Sequence, residues 1–140
     1  MTGTMNALRR ITTMALAFCA LAPAGPARAG APVEVEVTRG ADDDVTTALA
    51  TAVMQAFGND DGFALSQGRR ANSLIVVVQA PTAAARAGIH YKLAFPIRFL
   101  SAQGQTLGFT QVVCQENTLN KCADQTVAAA GPVGNKLGRH

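Results

Sequence analysis

The stretch CQENTLNKCADQ, residues 114–125, carries the most pointed chemistry in the chain: Cys114 and Cys122, with seven residues between them. Two such cysteines can hold a metal, run a redox cycle or form a disulfide. Zinc needs four ligands, typically offered in close pairs. Apart from these cysteines the sequence offers Cys19, His90 and His140 and no second cysteine pair, so no metal site is assigned. Thioredoxin-like redox work and c-type haem attachment both use C-x-x-C, and the gap here is wider. A disulfide remains, and it requires an oxidising compartment. Its chain-entropy gain for so short a loop is about 2.5 kcal/mol.

The other candidates are weaker. His90 is the one histidine set inside a strong strand pattern. As a general base it would need an orienting partner and a nucleophile within reach. Tyr91, its neighbour, projects from the opposite strand face. There is no G-x-S-x-G, no G-x-G-x-x-G and no phosphate loop, so no catalytic residue and no cofactor is assigned. Asp42, Asp43 and Asp44 lack the glycine and closing glutamate of an EF-hand loop and read as a helix cap. Asn59-Asp60-Asp61-Gly62 reads as an Asx-rich turn.

The compartment follows from the first thirty residues. MTGTMNALRR ends in two arginines, an apolar run from Ile11 to Leu21 follows, and Ala27-Arg28-Ala29 gives an A-x-A exit. This layout predicts a secretory signal peptide over 1–29, cleaved after Ala29. The apolar run is shorter than the roughly 20 residues that span a bilayer. Phe18 precedes Cys19 where lipid attachment needs a small residue, so lipidation is not expected. Cleavage removes three of the twelve basic residues and leaves nine against nine acidic ones. The mature chain is formally neutral, so the basic charge of the precursor is no argument for nucleic acid, and none is expected as a partner. Nor is any transmembrane segment expected in the mature chain.

The elements that must position these residues are legible from periodicity. PVEVEVT alternates, with Val33, Val35 and Val37 on one face and Glu34 and Glu36 on the other. Residues 43–57 read as a helix with an acidic start and an apolar stripe through Val45, Leu49, Val53 and Phe57. GFALSQ reads as a short strand and SLIVVVQ as a central one. APTAAARAG reads as a connection. IHYKLAFPIRFL puts Ile89, Tyr91, Leu93, Phe95, Ile97 and Phe99 on one face, and His90, Lys92, Pro96 and Arg98 on the other. Pro96 predicts a bulge or a locally unpaired edge. TLGFTQVVCQ returns as a strand with Leu107, Phe109 and Val113 in phase. A second helix is expected over 118–130, with Cys122 on its buried face, stopped by Gly131-Pro132.

The expected fold is α+β in the order β-α-β-β-β-β-α: a two-layer sandwich with a mainly antiparallel sheet of four to five strands and two amphipathic helices on one face. The expected domains are the leader 1–29, a single domain over 30–130 and a flexible tail over 131–140. The element order is similar to that of small periplasmic adaptor domains and of cystatin-like folds. The cystatin inhibitory loop Q-x-V-x-G is absent, since QAPTA and QVVCQ do not match it, and fold analogy supplies no function. The reading is therefore an exported, periplasmic or secreted, non-enzymatic binding or accessory domain of a bacterial envelope. Its candidate binding face comprises His90, Lys92, Arg98, Glu34 and Glu36, with another envelope protein as partner. Lys92 and Arg98 are expected to pair across strands with Glu34 and Glu36. The alternatives are a small secreted hydrolase or ligand-processing enzyme using His90, and a secreted inhibitor-like domain.

Overall fold

A computed structural model describes residues 31–66, 68 and 70–137. The chain divides into two compact units, Met1–Gly30 and Ala31–His140, and the described residues all belong to the second. The leader expected over 1–29, Cys19 included, lies outside the described residues.

The architecture is the expected α+β sandwich, a sheet backed by two helices. Strand β1 (Val33–Arg39) leads to helix α1 (Asp44–Gly58), then β2 (Phe63–Leu65), β3 (Leu74–Val78), β4 (Ala83–Ala87), β5 (His90–Ser101), β6 (Thr106–Gln115) and helix α2 (Leu119–Leu137). Helix α1 starts where the sequence asks it to. The Asp43 carboxylate accepts the Thr46 backbone N–H at 3.0 Å and the Thr46 hydroxyl at 2.8 Å. Those bonds, the backbone one first, hold the Asp43 carboxyl below its ordinary value. Leu49, Val53 and Phe57, each a helical turn apart, are buried against the sheet.

The sheet runs β2-β1-β3-β5-β4, with β6 on the other side of β5. It is mixed: β1 pairs parallel with both β2 and β3, whereas β3, β4 and β6 all pair antiparallel with β5. Strands β3 and β4 share one edge of β5. From Val78 to Ala83 the chain advances five positions while β5 advances three, Ile97 to Ala94, so the link bulges out. That break lies beside Pro96, which has no N–H to offer, although its carbonyl still accepts Gln79 N–H at 3.2 Å. The core is one layer, with Val35, Leu74, Val76, Val78, Phe95, Ile97, Phe99 and Val112 of the sheet packed under α1 and α2.

Three expectations are corrected. The segment read as a connection contains β4, whose alanines give little strand signal and which forms because it is the return arm of a hairpin on β5. The second helix does not stop at Gly131-Pro132, and residues 131–137, expected as a flexible tail, are helical. Helix α2 runs through Pro132 to Leu137, because the turn beyond the proline is held by packing: Val133 and Gly134 are buried. A Cβ at Gly134 would stand 3.3 Å from Val33 Cγ2 and 3.5 Å from Phe63 Cε1, so glycine is what lets the helix lie this close to β1 and β2. The third correction is the phase of β6. Phe99 pairs with Gly108 but Leu100 pairs with Thr106, so Leu107 is bulged. The bulge reverses the alternation. Gly108, Thr110, Val112 and Cys114 face the helices, and Phe109 and Val113 face away.

Candidate functional site: the helix-free face of the sheet

Paired residues on neighbouring strands project to the same side, so the register maps the face that, among the described residues, no helix covers. Glu36 lies beside Ile75, which lies beside Leu100 and then Thr106. One step along, Thr38, Val77, Arg98 and Phe109 form a second row. Pro96 and Gln111 follow, then Ala83, Ala94 and Val113, then Ala85, Lys92 and Gln115, and finally Ala87 with His90. All five residues of the candidate face, Glu34, Glu36, His90, Lys92 and Arg98, therefore share this side.

They do not form one cluster. Strand β3 separates Glu34 and Glu36 from β5. Glu34 pairs instead with Arg70, Oε1 to Nε at 3.4 Å. Arg98 Nη2 donates to Thr106 Oγ1 at 3.4 Å. Lys92 is opposite Ala85 on one side and Gln115 on the other. His90 sits at the far end of β5, with Nδ1 3.7 Å from Glu116 Oε1, and that same oxygen accepts Tyr91 N–H at 2.9 Å. The Glu116 carboxylate thus pins the start of β5 and would hold a protonated His90. Both partners are well exposed, and surface pairs of this kind are worth at most about 1 kcal/mol.

What simple alternation missed on this face is apolar. Phe109 is 63% exposed and Val113 39%, and they lie beside Arg98 and Ala94 of β5. Ile75 and Pro96 are buried on the same side. The signal was Gly108, an isolated glycine inside a strand pattern, which is a bulge marker. Read with a bulge there, the sequence places Phe109 outside.

Cys114 and Cys122 form a disulfide, with Cα atoms 5.5 Å apart, inside the range that the bond permits. Cys114 is on the helix side of β6 and Cys122 on the buried side of α2, so the bridge clamps helix to sheet. One turn further along α2, the Gln125 amide does related work. It accepts Val113 N–H at 3.1 Å and donates to Val113 C=O at 2.9 Å.

A cleft of about 690 Å³ lies on the helix side and is lined by Ala56, Asp60, Phe63, Asp124, Val127 and Gly131 among others. A smaller one, about 240 Å³, lies between β1 and α1. His90 lines neither. Among the described residues no group of three or more His, Cys, Asp or Glu side chains is placed to hold a metal ion, and no helix is long and apolar enough to cross a membrane.

Compared by sequence with protein-family models and with curated proteins, the chain matches none. Compared by structure, it is similar to a Xanthomonas campestris protein of the family DUF330, at 9% identity and a TM-score of 0.55, over 79% of this chain and 90% of that one. It is also similar to the PelC dodecamer protein of Paraburkholderia phytofirmans, at 10% identity and a TM-score of 0.46, over 79% of this chain and 92% of that one. A minor lipoprotein of Acinetobacter baumannii follows at 11% identity and a TM-score of 0.44, over 75% and 95%. At these identities the likeness is one of fold, and the described domain shares the α+β fold of the DUF330 protein.

Proposed function

We propose that this chain is an exported accessory module of the bacterial envelope, without catalytic activity of its own, that recruits another envelope protein through the helix-free face of its sheet. The observation that carries the reading is the exposed pair Phe109 and Val113 on that face, beside the cationic Arg98 and Lys92. Apolar side chains rimmed by charge are the usual composition of a protein-binding patch. The signal-like leader supports export, and export supplies the oxidising setting in which the disulfide persists. The His90–Glu116 pair supports no hydrolase reading, since it stands on an exposed strand end away from both clefts.

The test is capture of partners from envelope extracts by tagged protein. Phe109→Ser and the double change Lys92→Ala with Arg98→Ala are expected to lose a partner that the unaltered chain retains. If both variants keep every partner, the face assignment is wrong.

A further inference from the structure

The sheet treats its free edges unequally. Glu116 N–H donates to Tyr91 C=O, so Tyr91 and the odd residues that follow it in β5 turn their backbone groups to β6, and the even residues turn theirs to β3 and β4. The bonds from Gln79 to Pro96 and from Thr82 to Ala94 agree. In β4, then, Ala83, Ala85 and Ala87 bond to β5. Ala84 and Arg86 turn their N–H and C=O groups outward, where no described strand pairs with them.

On the opposite side of the sheet the outer edge of β6 is guarded. The Gln125 amide occupies both backbone groups of Val113, as a neighbouring strand would, and the bulge at Leu107 distorts the other end. Caps and bulges are the devices by which proteins prevent edge-to-edge pairing. Among the described residues, strand β4 has none of them. Residues 83–86 are all exposed, the strand has no proline or bulge within it, and its one charge, Arg86, is drawn aside, its guanidinium 5.8 Å from the Tyr91 ring centroid.

We propose that two copies of this chain pair through β4, antiparallel, about a two-fold axis at Ala85. In that register Ala84 of one copy lies opposite Arg86 of the other, and each such pair exchanges two backbone hydrogen bonds. The two arginines never face each other, and only alanine methyls meet at the axis. The two helix-free faces would then lie on the same side of one continuous sheet. This pairing does not depend on a partner at the helix-free face.

Sedimentation of the purified protein over a range of concentrations tests it. A monomer–dimer equilibrium is expected. Ala84→Pro removes an outward N–H and leaves the bonds to β5 in place, and should weaken the dimer at least tenfold with the circular dichroism unchanged. Ala84→Glu, opposite Arg86, should tighten it, and Ala84→Lys should loosen it. A single monomeric species at every concentration overturns the proposal. So does a dimer that Ala84→Pro and Ala84→Glu leave unaltered. A dimer lost with Phe109→Ser but not with Ala84→Pro also overturns it, by moving the contact to the open face. Loss of partner capture with the dimer intact, or the reverse, separates edge pairing from recruitment at the face.

Discussion

The two faces of this sheet are built from the same strands and follow opposite rules. Under the helices, Val35, Val76, Phe95, Ile97 and Phe99 are buried, and most of the side chains on that face are apolar. On the other side the same strands present Glu34, Glu36, Lys92 and Arg98, yet Phe109 and Val113 stand among them. Alternation without the bulge would have kept Phe109 and Val113 off the second face. Covered positions are set by packing, and their identity reports the fold. Exposed apolar positions such as Phe109 have no such packing reason, and on that ground the proposed contact is placed there.

That contrast can be broken from the covered side first. Phe95→Ala removes a fully buried ring and should cost about 3–5 kcal/mol, read by urea unfolding. Next comes the clamp between helix and sheet: replacing both Cys114 and Cys122 by serine should lower stability by about 2–3 kcal/mol and leave partner capture intact, since the bridge lies on the helix side. A smaller effect is expected at the start of α1. Because the folded state lowers the Asp43 pKa, its contribution is present above the unfolded carboxyl value and is lost as pH falls through the folded one. The stability gap between the unaltered protein and Asp43→Ala should therefore be constant near neutrality and narrow in acid, below about pH 4. The smallest effect sharpens the comparison most: Phe109→Ser should change unfolding stability by no more than about 0.5 kcal/mol while abolishing capture of a partner. A large loss of stability there would mean that Phe109 packs like a core residue.

Much of the fold was legible because its strongest signals are local. The alternation of β5, the amphipathic stripe of α1 and the Asp43 cap each lie within a short window of chain, and each stands where periodicity puts it. What was not legible depends on distant partners. Strand β4 is Ala-Ala-Ala-Arg-Ala, with no intrinsic preference for a strand, and takes its conformation from β5. Gly131-Pro132 is a strong local stop, overridden because Val133 and Gly134 find β6, β1 and β2 beneath them. The parallel pairing of β1 with β2 and β3 rests on crossovers that no short window contains. The candidate face was partly legible: its charged residues share a side as alternation requires, but the strand order scatters them, and a single bulge at Leu107 hid the aromatic among them.

The bridge between Cys114 and Cys122 has a bearing on how the molecule withstands proteolysis. It spans the turn at Glu116 and Asn117, both exposed and thus open to proteases. A cut anywhere in that turn severs the backbone but not the molecule. Helix α2 would stay tethered by the sulfurs and seated by Gln125 on Val113, and the nicked chain would migrate as one piece until a reductant divided it.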